Sequence, residues 1–335
     1  IEHGMGPKWK WLAKIFAFFG IGVGLLGIGT FTQVNGISSA VNNFFDSNNA
    51  WTVSLFGRTY SWTVVISCLI LTFCVALVLI GGIQRISKVA QVIVPFMAAT
   101  YFLAGILIIL FNITDVPAAI LTIVQSAFGL KAAAGGALGA MVVAMQKGIA
   151  RGIFSNEAGL GSAPIAAAAA RTNEPVRQGL VSMTATFIDT IIICSITGIA
   201  IVLTGAYDMG LEGVAVTTKA FQLGLPFPDG VASFILMLCL VFFAFTTILG
   251  WDYYSERCLE YLTNGKKKCI KAYRWIYILC VFIGPYMTVS AVWTIADIFN
   301  GLMAIPNLIA LVALSGVVAK ETKDYLDRIK KKEIE

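Results

Sequence analysis

Charged side chains are scarce in this chain of 335 residues. They make up 13% of it, while 58% of its residues are hydrophobic, whereas a typical soluble domain carries about 25% charged residues. A water-soluble protein of this size could not cover its surface with so few polar groups. The apolar residues also occur in blocks of about 20 or more, the length of a helix that crosses a bilayer. The composition therefore predicts an all-α polytopic membrane protein, embedded in the lipid bilayer.

Histidine is nearly absent, which limits the available chemistry. The single histidine is His3, near the first residue, so a histidine-based metal or catalytic site inside the bundle is excluded. The seven cysteines contain no CxxC pair and mostly lie in apolar blocks, so they indicate buried thiols rather than a zinc site or disulfide frame. The net charge of +6 comes from short loops between apolar blocks, which argues against a nucleic-acid partner. Without a nucleophile–base pair or a metal cluster, the chain is not expected to be an enzyme.

Eight membrane spans, lettered A to H, are predicted from the apolar blocks, and they form a single transmembrane domain over 1–320. A cytoplasmic tail follows at 321–335. The stretch around Val116–Phe128 is too short to cross and is predicted to lie on the membrane interface, while the glycine-rich stretch 20–29 predicts close helix packing. The predicted spans are about 11–41, 60–82, 89–111, 137–170, 179–205, 230–254, 273–290 and 294–319.

Basic residues alternate between the connections and predict the orientation. Lys8, Lys10 and Lys14 precede span A, and Arg85 and Lys88 separate spans B and C, whereas the residues directly after span A carry only an acid. Because cytoplasmic loops are enriched in Lys and Arg, both ends of this chain are predicted to be cytoplasmic. The protein is expected to be a multi-pass protein of the cell (plasma) membrane.

Span D, at 137–170, combines glycine, proline and polar residues; positions 145–164 read MQKGIARGIFSNEAGLGSAP. We predict a helix that stops near Phe154, unwinds, and restarts near Ser162 with Pro164 in its first turn. Unwinding frees backbone carbonyls that can bind a cation and amides that can bind a carboxylate. Such backbone is tolerated in a membrane only around a cavity or inside protein. The alternative, a water-facing loop between two spans, would reverse the charge pattern of every later loop.

Span F contains adjacent hydroxyls at Thr246 and Thr247, followed by Trp251. Thr247 and Trp251 are four residues apart and share a helix face, so they could line a small pocket with a hydroxyl and an indole. The alternative is structural, with threonine bonding its own helix and tryptophan marking the membrane interface. Asp189 and Asp297 are lone intramembrane carboxylates, and each is either a functional group or a pin at a helix end.

The stretch from Gly152 to Pro164 resembles the alanine or glycine:cation symporter family, the sodium–alanine symporters of prokaryotes. Three further stretches resemble the same family: TTILGW at 246–251, VWTIAD at 292–297 and NGLMAIPN at 300–307. The resemblance implies a leucine-transporter-type inverted-repeat bundle, in which the first and sixth helices are discontinuous. Span D would then be the sixth helix and span A the third, so that about two N-terminal helices would precede Ile1 and would complete the site.

The same resemblance implies sodium-coupled symport of a small neutral amino acid, alanine or glycine, into the cell by alternating access. Na+ would be the coupling ion, with Thr246 and Thr247 offering hydroxyl oxygens to it. No obligate protein partner is evident. The alternative is a proton-coupled amino-acid carrier that uses Glu157, Asp189 or Asp297. The substrate-binding residues implied by the resemblance are Phe154, Ser155, Asn156, Gly159, Thr247 and Trp251.

Overall fold

The computed structural model describes residues 1–55, 57–128 and 136–331, and nearly all of its regular structure is helical. Among these residues, six helical segments are long and apolar enough to cross a membrane. The protein is therefore an all-helical, multi-pass membrane protein, as its composition predicts. The six segments are Pro7–Phe45, Trp62–Ile80, Gln84–Phe111, Pro175–Leu203, Asp229–Thr263 and Val289–Lys330.

The α-helices of the described residues are numbered in chain order. Short 3₁₀ helices occur at Pro7–Trp9, Ala206–Asp208 and Gly284–Tyr286, and a π-helix at Phe187–Cys194 joins α9 to α10. The α-helices are α1 (Glu2–Met5), α2 (Lys10–Leu26), α3 (Phe31–Phe45), α4 (Trp62–Ile80), α5 (Gly82–Phe111), α6 (Val116–Ala127), α7 (Ala137–Asn156), α8 (Ala163–Ala167), α9 (Pro175–Thr186), α10 (Ser195–Leu203), α11 (Val214–Gly224), α12 (Asp229–Thr263), α13 (Lys267–Ile283) and α14 (Val289–Lys330).

A small β-hairpin between α3 and α4 was not anticipated from the sequence. Strands β1 (Thr52–Leu55) and β2 (Arg58–Ser61) pair antiparallel, with Thr52 opposite Ser61. The carboxylate of Asp46, at the end of α3, accepts hydrogen bonds from the Ser61 hydroxyl at 2.6 Å and the Ala50 amide at 2.7 Å. These donors hold the pKa of Asp46 below its usual range, and they fasten the hairpin to the helix that precedes it.

Spans D and G fall outside the set of six segments. Span G corresponds to α13, which has 17 residues; span D corresponds to α7, with Lys147 and Arg151 inside it, and to the short α8. Helical structure ends at Asn156 and resumes at Ala163. Whether these two segments cross the membrane stays a prediction, but the residues between α7 and α8 are non-helical where the sequence predicts unwinding.

Span A is divided into two helices, which the sequence analysis did not predict. Helix α2 ends at Leu26 and α3 begins at Phe31, and the hydroxyl of Thr30 donates to the carbonyl of Leu25 at 2.5 Å. The glycines here are needed for close packing, as predicted: a Cβ at Gly24 would lie 1.7 Å from the Ser255 hydroxyl. The glycine-rich stretch therefore serves both as a packing face against α12 and as a helix break.

Helix α12 occupies the centre of the bundle, where it packs against α2, α3, α5, α11 and α13. One buried apolar cluster joins it to α3, α4 and α13, and a second joins it to α5, α10 and α11. A third cluster brings together α2, the end of α7, α12 and α14. Its fully buried members are Val23, Ile28, Leu160, Trp251 and Met303.

Candidate functional site

The non-helical residues between α7 and α8 bend sharply and are held from within. Glu157 adopts a left-handed conformation with φ 57°, as do Gly159 and Gly161 with φ 84° and 88°. The amide of Ala158 donates to the Asn156 side-chain oxygen at 2.9 Å, an Asx-type turn that competes with continued helix. Glycine tolerates positive φ without steric cost, which explains why this sequence leaves the helix here.

Trp251 ties this bend to the centre of the bundle. Its side chain is 1% exposed, and its indole Nε1 donates to Glu157 Oε1 at 2.8 Å. The other carboxylate oxygen of Glu157 accepts from the Ser162 hydroxyl at 2.5 Å. The Glu157 carboxylate therefore links the first residue of the bend to Ser162, the residue before α8. Its bond to Trp251 holds the carboxylate against α12.

The last turn of α7 is joined to α14 by an aromatic and ionic contact. The rings of Phe154 and Trp293 lie 4.8 Å apart, and the guanidinium of Arg151 sits 4.5 Å from the Trp293 ring centroid. The same guanidinium binds both carboxylate oxygens of Asp297 at 2.5 Å. Asp297 thus faces a cation on another helix rather than standing alone.

The π-helix brings two consecutive side chains to the same end of α7. The hydroxyl of Ser155 donates to the carboxylate of Asp189, with distances of 2.9 and 2.7 Å to its two oxygens. The side-chain amide of Asn156 donates to the Thr190 hydroxyl at 2.8 Å. Because π-helical turns are often retained at functional sites, this junction marks the segment as a functional candidate.

Gly159 makes its contact through the backbone. Its carbonyl accepts a hydrogen bond from the side-chain amide of Asn307 on α14 at 2.9 Å. This bond satisfies one of the carbonyls that unwinding frees, so that carbonyl is engaged by protein in this conformation.

The two threonines of α12 both bond their own helix. Thr246 is within 3.0 Å of the carbonyls of Phe242 and Phe243, and Thr247 donates to the carbonyl of Phe243 at 2.9 Å. A hydroxyl that donates in this way keeps lone pairs free to accept a bond or bind a cation. The geometry is thus compatible with both predicted interpretations, a helix-bonded threonine and a sodium ligand.

A cavity of about 530 Å³ with a partly polar lining lies beside this site, between α3, α11, α12 and α14. Phe154 and Trp293 form one wall, whereas Thr247 and Trp251 do not border it. The opposite wall is a polar face of α3 that the sequence analysis missed. It consists of Thr32, Gln33, Asn35, Gly36, Ser39 and Asn43.

The missed polar face had a sequence signal. Thr32, Gly36, Ser39 and Asn43 are spaced four, three and four residues apart, which places them on one side of a helix inside an apolar block. A second missed partner is Arg151, whose pairing with Asp297 joins residues far apart in sequence. Within the described part of the chain, no cluster of three or more His, Cys, Asp or Glu side chains could hold a metal ion.

Comparison with known proteins gives consistent matches over the whole chain. The model of the sodium:alanine symporter family matches residues 1–335. The sodium/alanine symporter AgcS of Methanococcus maripaludis is 43% identical over 99% of this chain and 68% of its own length. An uncharacterized transporter of Haemophilus influenzae is 51% identical over 98% of this chain and 68% of its own length. The putative sodium/proton-dependent alanine carrier protein YrbD of Bacillus subtilis is 35% identical over 97% of this chain and 66% of its own length.

Proposed function

Because the chain belongs to the sodium:alanine symporter family and is a transporter rather than an enzyme, we propose that it imports alanine or glycine together with sodium ions. The observation that carries the proposal is the bend at 157–162, which the buried Trp251–Glu157 hydrogen bond fixes beside a cavity with a partly polar lining. Transporters place substrate and ion sites at discontinuous helices of this kind.

The proposed architecture is an inverted-repeat bundle in which α7 and α8 form the two halves of a discontinuous helix. Helix α13 and the α7–α8 pair then cross the membrane in addition to the six apolar segments, which makes eight spans. An even number of spans places both ends of the described chain on one side, and the basic residues before α2 and after α12 assign that side to the cytoplasm. The transmembrane domain extends over 1–320, and the cytoplasmic tail over 321–335.

The substrate is proposed to bind where the end of α7 meets the cavity. The Phe154 ring, packed on Trp293, limits the space to a small side chain, and a clash would exclude larger amino acids. Ser155, Asn156 and Gly159 supply polar groups at the bend, and Trp251 contacts the bend from α12 through Glu157. Thr247 is proposed to complete the substrate site from the same helix.

The sodium ion is proposed to take oxygen ligands from Thr246 and Thr247. Hard cations prefer oxygen donors, and both hydroxyls retain lone pairs after bonding their own helix. Binding of the ion and of the amino acid would each favour the other, because thermodynamic coupling between two sites is reciprocal.

The first experiment is uptake of labelled alanine by the purified protein in liposomes, under an inward gradient of Na+ or of K+ at fixed pH. Uptake with sodium alone, competed by glycine, is the expected result. Thr247→Val should raise the sodium concentration for half-maximal uptake by roughly tenfold, which corresponds to about 1.4 kcal/mol. Thr263→Val is the matched control, because Thr263 also donates to its own helix, at 2.8 Å from the Leu259 carbonyl, but lies at the end of α12.

A second candidate is a proton-coupled amino-acid carrier that uses Glu157, Asp189 or Asp297. The name of YrbD, which describes a sodium/proton-dependent alanine carrier, favours testing it. Uptake that ignores sodium but follows an acid-outside gradient would support this candidate and contradict the sodium-coupled one. Uptake that is lost without sodium at every pH would exclude coupling to protons alone.

A further inference from the structure

One carboxylate that the sequence analysis did not single out has a buried oxygen without a hydrogen-bond partner in the described chain. Asp252 follows Trp251 in the middle of α12 and is 2% exposed. Its Oδ1 atom is buried and has no hydrogen-bond partner among the described residues. The three carboxylates of the proton-coupled candidate differ in this respect, because each accepts a hydrogen bond from a named side chain.

The two arginines that interact electrostatically with Asp252 are paired with other acids. Glu256, one turn further along α12, is bound by Arg274 through Nε at 2.6 Å and Nη2 at 3.0 Å, and by Arg257 at 2.7 Å. Among the described residues, Asp252 therefore has no ion pair of its own, although the salt-bridged Glu256 carboxylate lies one turn away.

The remaining neighbours do not supply the missing donor. The buried hydroxyl of Tyr273 on α13 makes no hydrogen bond to Asp252, and Tyr277 donates to the carbonyls of Gly29 and Ile248 instead. From α2, which also packs on α12, glycines make the close approach, with Ser255 donating to the Gly20 carbonyl. The titratable groups that interact electrostatically with Asp252 are Glu256 and Arg257 of α12 and Tyr273, Arg274 and Tyr277 of α13.

Elementary electrostatics decides the charge of such a group. An ionised carboxylate that is buried without a partner costs many kcal/mol, and a group in this position neutralises itself by taking a proton. Neutral Asp252 has one O–H donor and one carbonyl acceptor, so it can remain in the α12–α13 interface without a counter-charge.

We infer that Asp252 is a proton-binding site, occupied in this conformation and emptied when the packing between α12 and α13 opens. On opening, the O–H bond of the carboxylic acid breaks, the electron pair stays on the oxygen, and the proton passes to water that enters the interface. Closing the interface returns a proton from water to the carboxylate. The inference goes beyond the proposed function, because it requires neither the amino acid nor sodium.

Infrared spectroscopy of the protein labelled with ¹³C-aspartate tests the inference without any transport assay. We expect the carbonyl stretch of a protonated aspartic acid at neutral pH and its loss in Asp252→Asn, a neutral isostere. Asp229→Asn is the matched control, because Asp229 is exposed at the start of the same helix, and the band should persist there. Absence of the band from the wild type, or its persistence in Asp252→Asn, would overturn the inference.

Uptake measurements test whether the proton leaves during the cycle. In liposomes with a fixed sodium gradient, the pH dependence of alanine uptake should be flatter in Asp252→Asn than in the wild type. An unchanged pH profile in the variant would refute release during transport. Sodium dependence is read in the same assay, so failure of the proton site is distinguishable from failure of the proposed sodium coupling.

Discussion

The side chains of Trp251 and Glu157 should be energetically coupled through their hydrogen bond, and a double-mutant cycle can measure the coupling free energy. Trp251→Phe removes the indole donor, whereas Glu157→Met removes the acceptor oxygens and keeps a side chain of similar length. Hydrogen bonds to charged groups contribute about 1.5–3 kcal/mol in proteins, while measured interhelical bonds in membranes average about 0.6 and reach about 1.7 kcal/mol.

The geometry of this hydrogen bond favours a coupling free energy in the upper part of the range measured for interhelical bonds in membranes. The Nε1–Oε1 distance is 2.8 Å and Trp251 is 1% exposed, so water cannot replace the lost partner easily. We therefore expect a coupling free energy of about 1–2 kcal/mol, a factor of about 5–30 in the unfolding equilibrium. Unfolding in mixed micelles by titration with SDS, followed by tryptophan-independent circular dichroism, gives the four free energies that the cycle needs.

A control pair shows whether the cycle reports a local contact. Trp251→Phe combined with Glu174→Gln should be additive, because Glu174 lies before α9 and pairs with Arg328. Additivity within about 0.3–0.5 kcal/mol is usual for independent sites. If Trp251→Phe and Glu157→Met were also additive within that margin, the hydrogen bond would not stabilise the bend, and the reasoning for a fixed bend would fail.

Three further predictions concern packing and charge. Gly24→Ala should lower the free energy of unfolding by about 1–3 kcal/mol in the same SDS titration, because its Cβ would lie 1.7 Å from the Ser255 hydroxyl of α12. Gly36→Ala should not, because its Cβ would lie 4.0 Å from the side chain of Val214 on α11. Tyr277→Phe should lower the free energy of unfolding by about 1 kcal/mol, since the hydroxyl donates to carbonyls of the α2–α3 break and of α12. An unchanged free energy of unfolding would contradict a stabilising role for these bonds. Hydrogen bonds from Arg328 lower the pKa of Glu174, so this pair stabilises the fold above the unfolded-state pKa and is lost as pH falls through the folded-state pKa. Thermal unfolding should therefore be less sensitive to acid in Glu174→Gln, and equal sensitivity would refute the pairing.

The bend after α7 could be predicted from sequence because its signals are local. Gly159 and Gly161 supply positive φ, and Pro164 fits the first turn of the next helix. The division of span A was missed because glycines such as Gly27 and Gly29 serve equally for packing and for a break. Composition alone does not separate these two uses.

Contacts between distant segments could not be read from the sequence. Arg151 and Asp297 are 146 positions apart, and nothing in their local pattern says that α7 packs on α14. The interaction of Trp251 with Glu157 has the same character, so the sequence predicted a pocket-lining indole without its partner. The polar face of α3 is a different case, because its helical spacing was present in the sequence and was overlooked.

The π-helix between α9 and α10 has a consequence for insertions and deletions. In an α-helix, consecutive side chains point about 100° apart, given 3.6 residues per turn, yet Asp189 and Thr190 both bond consecutive residues at the end of α7. The wider turn of a π-helix reduces this angle, which helps both side chains to reach α7. A one-residue deletion within 187–194 would rewind the segment to an α-helix and turn one of the two side chains away from α7, although it would change neither hydropathy nor span length appreciably. Homologous chains with one residue fewer here would therefore need a different way of holding Ser155 and Asn156.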